Sequence, residues 1–167
     1  MKKNVLLMEK LQKDALATMI KEEYNGLYKN SVIRFCEYKT PGSETKKNCI
    51  IKDGCAVYVI YDKCFIDTSD LSRDYRNFDP SKLFEAATED ALIASERIID
   101  TSSAKKKTLV KIIIKETNEE VFIKEDYIKY IDIDLPEINV KAKNSYSPVV
   151  FYFYDAPLAA ILPIIRK

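Results

Sequence analysis

Hydrophobic positions along this chain follow first a helical and then a strand-like rhythm. Over residues 4–23, Leu7, Met8, Leu11, Ala15, Met19 and Ile20 recur at helical spacing, while Lys10, Lys13, Asp14 and Lys21 occupy the other face. This pattern predicts an amphipathic amino-terminal helix. Asn25-Gly26 follows, and the glycine suits the left-handed position that closes a helix. Residues 31–38 then read as a strand, and the stretch from Thr40-Pro41-Gly42-Ser43 to Asn48 as an exposed loop. Two apolar runs, 49–52 and 55–60, flank Asp53-Gly54, a dipeptide suited to a type I′ turn because both central residues take positive φ. Residues 64–67 are expected to extend the sheet.

The second half repeats the alternation of helix and strand. Asp79-Pro80-Ser81 predicts a helix start, with Asp79 accepting from the first free amides and Pro80 placed where a missing donor is harmless. Leu83, Phe84 and Ala87 supply its apolar face, and residues 90–99 read as a second helical stretch. Residues 109–115 and 121–124 flank a polar turn and predict another hairpin; 125–131 has room for a short helix, and 138–143 for a strand. A terminal pair of strands completes the pattern, with Pro157 placing the turn and Pro163 at a position that needs no ladder donor. The fold class expected is α+β: one domain over residues 1–167, a mostly antiparallel sheet packed by the amino-terminal helix and the helix after Asp79. No internal period repeats, which excludes a solenoid.

Composition narrows this picture. Apolar residues make up 47% and charged ones 32%, the balance of a globular chain large enough to fold without a disulfide or metal staple. No run approaches the roughly 18 apolar residues of a membrane span, and Glu9 and Lys10 interrupt the first apolar run too early for a signal peptide, so a cytoplasmic protein without a membrane partner is expected. The net charge of +1 gives no bulk attraction to nucleic acid. DNA contact would need a local patch, and Lys105, Lys106 and Lys107 are the densest candidate, with Lys111 and Lys115 nearby. Cys36, Cys49, Cys55 and Cys64 include no close pair and the chain has no histidine, so they read as small core residues in a reducing compartment rather than zinc ligands.

Chemistry is sparse. Without histidine the usual Ser-His and Cys-His nucleophile pairs are missing, and the three scattered glycines form neither a P-loop nor a dinucleotide fingerprint. No catalytic residue and no cofactor are assigned. Asp132 and Asp134 are the one carboxylate pair of interest, since in an extended segment they would project to one face and could hold a divalent metal as in a nuclease. Asp62, Asp67, Asp70 and Asp74 form a looser set. Along the first strand of the terminal pair Val149, Phe151 and Phe153 share one face, and Val150, Tyr152 and Tyr154 the other. The tyrosine face packs under a helix or meets a partner, which makes Tyr152 and Tyr154 the candidate protein contacts.

From Val121 onward the order is a strand, a short helix carrying Tyr127 and Ile128, another strand and a hairpin ending Ala160-Ile161-Leu162-Pro163-Ile164-Ile165-Arg166. It resembles the terminal β-α-β-β-β unit of the bacterial sliding clamp, the processivity ring of replicative DNA polymerase, whose last strand has an apolar-Pro-apolar-Arg pattern. The resemblance covers residues 121–166, within a clamp-like subunit of 105–167; the amino-terminal helix and the loop at 40–48 fall outside the pattern, and no pocket residue of the family maps onto this chain. It implies a role in DNA metabolism. Together with the absent catalytic motifs, the expected function is a non-catalytic protein-binding module, encoded by a phage or other mobile element, acting in DNA metabolism or as an inhibitor of a host defence system. The alternatives are a clamp-like homo-oligomer encircling DNA, and a metal-dependent nuclease using Asp132 and Asp134.

Overall fold

The computed structural model describes residues 8–25, 33–61, 63–68, 77–102 and 104–165. Helix α1 (Met8–Asn25) leads into a three-stranded meander, β1 (Ile33–Lys39), β2 (Lys46–Lys52) and β3 (Ala56–Val59). A short helix, α2 (Ser81–Glu85), precedes a second meander of β4 (Glu89–Asp100), β5 (Lys107–Ile114) and β6 (Glu120–Lys124). Helix α3 (Glu125–Ile128) precedes the third, β7 (Ile138–Ala142), β8 (Val149–Phe153) and β9 (Ala156–Ile161). All nine strands form one antiparallel sheet in the order β1-β2-β3-β9-β8-β7-β4-β5-β6, so the third meander lies between the first and the second.

The local chemistry explains the firmest elements. Asp53 (φ 55°) and Gly54 (φ 64°) both take the left-handed conformation expected of the central residues of the turn, which the Cys55 amide closes by donating to the Lys52 carbonyl at 2.9 Å; the β2–β3 ladder then runs from Lys52↔Ala56 to Cys49↔Val59, so Cys55 is one extra residue in the loop. Before α2, Asp79 Oδ1 accepts from the Ser81 amide at 3.0 Å, the role its sequence position predicts.

Four expectations are corrected. The loop expected to run to Asn48 ends at Thr45, because Lys46, Lys47 and Asn48 already pair with Lys39, Tyr38 and Glu37 in the β1–β2 ladder. Residues 90–99 are strand β4: Leu92 pairs with Ile113 and Ile98 with Leu109 across a ladder interrupted between Ile93 and Arg97. That bulge shifts the alternation in mid-strand, so a period of two is hidden in the sequence. Residues 64–67 are not a strand but a loop clamped by Gln12, which donates through Nε2 to the Lys63 carbonyl (3.1 Å) and accepts from the Phe65 amide (2.6 Å). In the terminal hairpin the turn is at Tyr154-Asp155, and Pro157 lies within β9 opposite Tyr152, where the register shifts. The missing proline N–H is accommodated at that irregularity. The predicted helix over 4–23 is described from Met8; residues 4–7 and Gly26 lie outside the described residues.

The sheet buries both faces unequally. Its larger face holds Ile33, Phe35, Ile50, Tyr58, Ile112, Ile114, Val121, Ile123, Phe151 and Ile161 against Met8, Leu11 and Ala15 of α1 and against Tyr127 and Ile128 of α3. Its smaller face places Cys36, Tyr38, Cys49, Ile51, Val57, Val59, Val150 and Ala160 under Phe84 and Ala87 of the α2 region. Strand β3 is buried on both sides, as its continuous apolar run requires. The sheet is also strongly curled. The Ile164 amide, three residues beyond β9, donates to the Phe122 carbonyl of edge strand β6 at 2.7 Å, which brings that edge within roughly 10 Å of the end of β9.

Candidate functional site

Curling brings α1, the β2–β3 turn and the α3 segment together, and their polar side chains form a joint there. Lys52 donates from Nζ to the Tyr130 hydroxyl (3.0 Å), which donates to Asp14 Oδ2 (2.7 Å). The Tyr127 hydroxyl donates to Asp53 Oδ2 (3.0 Å), and the Tyr58 hydroxyl donates to the Tyr127 carbonyl (2.7 Å). The Tyr58 and Tyr130 rings meet edge to face at 5.5 Å, and the Lys52 ammonium lies 5.0 Å from the centre of the Tyr130 ring.

Burial sets the electrostatics of the joint. It pushes the Tyr58, Tyr127 and Tyr130 hydroxyls well above the ordinary tyrosine range; the next contributions are Tyr130 for Tyr58, Asp53 for Tyr127 and Asp14 for Tyr130. Burial, and after it the neighbouring Lys129, lowers the Lys52 ammonium below the usual lysine value. These groups satisfy one another. Each of the three hydroxyls is spent on a bond within the joint, so the arrangement fastens three elements and presents no idle acid or base.

An apolar pocket of about 320 Å³ opens on the smaller core face. Its wall is Ile51, Cys55 and Val57 of the β2–β3 hairpin, Ala160, and Leu83 of α2, with Phe78 and Leu162 at 40% and 39% exposure. It lies beside the Asp53-Gly54 turn, with Gly54 in its lining.

A second, polar cleft of about 360 Å³ gathers the lysine run of the sequence. Lys105 and Lys106 lead into β5, which opens with Lys107 and Thr108, and Lys124 ends β6 beside them, because Leu109 is the register partner of Lys124. Glu125 and Asp126 complete the lining, and Arg97 Nε engages Glu125 Oε1 at 3.1 Å.

The other candidates are dispersed. Tyr152 is half-buried beneath α2, donating to the Phe84 carbonyl at 2.9 Å. Tyr154 is 61% exposed at the β8–β9 turn with φ 53°, packed edge to face on Phe153 at 4.8 Å. Asp132 and Asp134 lie in a turned rather than extended segment, where the Leu135 amide donates to the Asp132 carbonyl. Among the described residues no group of three or more Cys, Asp or Glu stands close enough to hold a metal ion. Of the looser acidic set, Asp67 is exposed, and Asp62, Asp70 and Asp74 lie outside the described residues.

Sequence reasoning missed the joint and the pocket. Asp53 stood out only as a turn former and Tyr127 only as part of a short helix. No helix among the described residues is long and apolar enough to cross a membrane. Comparison with protein-family models, with curated proteins and with solved structures finds no match to this chain.

Proposed function

We propose that the chain is a non-catalytic protein-binding module whose contact is the apolar pocket, and that its partner presents a large apolar side chain. The observation that carries this reading is the pocket itself: about 320 Å³ lined by Ile51, Val57, Leu83, Phe78 and Leu162, with two of those side chains part-exposed at its mouth. Apolar surface held open in this way gains by meeting an apolar anchor, the usual centre of a protein interface. The self-satisfied polar joint supports the non-catalytic half of the proposal. Tyr154 lies at the far end of β9 from Leu162, about 20 Å away at strand rise, so it serves as a surface control outside the pocket. Action in DNA metabolism is the setting proposed from the clamp-like order of the final third; action against a host defence system and a phage or mobile-element origin are proposed beside it and do not rest on that order.

The test is selection from a random peptide library against the immobilised chain. Enriched peptides should share a large apolar residue, bind Tyr154→Ala normally, and lose at least tenfold in affinity toward Leu83→Glu and Leu162→Glu variants that keep the parental circular dichroism. Absence of any enriched sequence, or binders indifferent to both glutamate substitutions, overturns the proposal.

A further inference from the structure

The geometry points to a second binding site, separate from the apolar pocket: the cleft of Lys105, Lys106, Lys107 and Lys124 takes an oligophosphate group. Strand pairing assembles it from two sequence-distant segments. Leu109 pairs with Lys124, which makes Lys107 and Lys124 diagonal neighbours on one face of the β5–β6 hairpin, about 7–8 Å apart and somewhat less at their Cβ atoms. Two long lysine side chains rooted that close can each bring an ammonium to a separate phosphate of one chain. Lys105 and Lys106 extend the cationic wall along the approach to β5, and Thr108 adds a hydroxyl to the lining.

Charge and shape agree on the ligand class. The lining carries four lysines and two carboxylates; Asp100 of β4 stands opposite Lys107, and Arg97 engages Glu125 at 3.1 Å, so the cations, Arg97 included, still outnumber the carboxylates. Lysine ammonium groups act as point charges suited to phosphate, and the Arg97 guanidinium, which would favour a planar carboxylate, is occupied by Glu125. The volume of about 360 Å³ fits a small multiply charged group. The aromatic ring at the cleft, Tyr127, is 3% exposed and lies beneath the Lys124 ammonium at 5.5 Å, so no face is offered for stacking a base. Recognition therefore rests on phosphates and not on base identity. Free oligophosphates and consecutive backbone phosphates of a nucleic acid both present this chemistry.

The experiment measures fluorescence anisotropy of a labelled 20-nucleotide oligothymidylate at 50 and 200 mM NaCl, and calorimetric titration with tripolyphosphate. Submillimolar binding of tripolyphosphate, weakened at least tenfold in Lys106→Gln/Lys124→Gln and unchanged in Lys39→Gln, supports the site. If the oligonucleotide also binds, with a log–log salt slope that flattens by roughly 0.7 per lysine removed, the source is a nucleic-acid backbone. If tripolyphosphate alone binds, the source is a free oligophosphate. Failure of both probes to bind at 50 mM salt, or binding that the double variant leaves intact, overturns the inference. Peptide selection on the apolar pocket reads out independently of either result.

Discussion

Replacing Tyr58 by Phe isolates one bond of the joint. The ring is fully buried and volume is nearly conserved, so the edge-to-face contact with Tyr130 at 5.5 Å persists while the hydroxyl that donates to the Tyr127 carbonyl at 2.7 Å is lost. The loss lies between two limits: about 1 kcal/mol, the net worth of a hydrogen bond, where another donor reaches the carbonyl, and about 1–3 kcal/mol where the buried carbonyl is left without a partner. Partial relaxation of the carbonyl toward other donors keeps the loss below the upper limit, so Tyr58→Phe should destabilise the fold by about 2 kcal/mol. For a domain of this size that corresponds to a fall of about 4–8 °C in the melting midpoint. Thermal and urea unfolding followed by circular dichroism measures both, with an unchanged urea slope confirming that the difference is one of stability. A loss below about 0.5 kcal/mol would refute the reasoning, because it would mean that water reaches the Tyr127 carbonyl and the joint is not dry.

Three other outcomes are expected. Stability should fall in alkali. The raised tyrosine hydroxyls of the joint keep their protons in the folded state while the unfolded chain releases them from about pH 10, so their contribution is whole below that pH and declines above it. The lowered Lys52 acts in the opposite sense, its penalty disappearing by about pH 10.4, but it is one group against three. Tyrosinate absorbance should rise together with unfolding, and free titration of all 11 tyrosines with the fold intact would contradict this. Gly54→Ala should cost about 1–2 kcal/mol in urea unfolding, from the left-handed backbone alone, since nothing lies within 4 Å of the added methyl group. A loss far above that would reveal a clash. With a thiol-specific chromogenic reagent, the half-buried Cys55 and Cys64 should react in the native state and the buried free thiols Cys36 and Cys49 only on unfolding, the Cys49 thiol being pushed up by its side-chain hydrogen bond with Cys36 and by burial. Four equally fast thiols would contradict the burial pattern.

What the sequence made legible was local. Asp53-Gly54 declared its hairpin through backbone preference, and the polar tract between the apolar runs of β5 and β6 declared another. Strand β4 escaped because its bulge between Ile93 and Arg97 breaks the alternation, and the Arg97 guanidinium caps the irregularity by donating to the Ala94 carbonyl at 2.9 Å. The joint escaped for a different reason: Asp14 and Tyr130 are separated by 116 residues, Lys52 and Tyr130 by 78, and no local periodicity carries that pairing. The lysine run was visible as charge, but its partner Lys124 became visible only through the register of β5 and β6.

Because the third meander lies between the other two, residues 33–59 and 89–124 share no ladder of their own; β3 waits for β9, and β4 for β7. A nascent chain emerging from the ribosome can close each early hairpin within microseconds, yet it can join them only after Ile161 is free to pair with Ala56, a separation of more than a hundred residues. Assembly of the sheet is therefore governed by a late, long-range event, and until it occurs the edges of β3 and β4 stand open to mispairing.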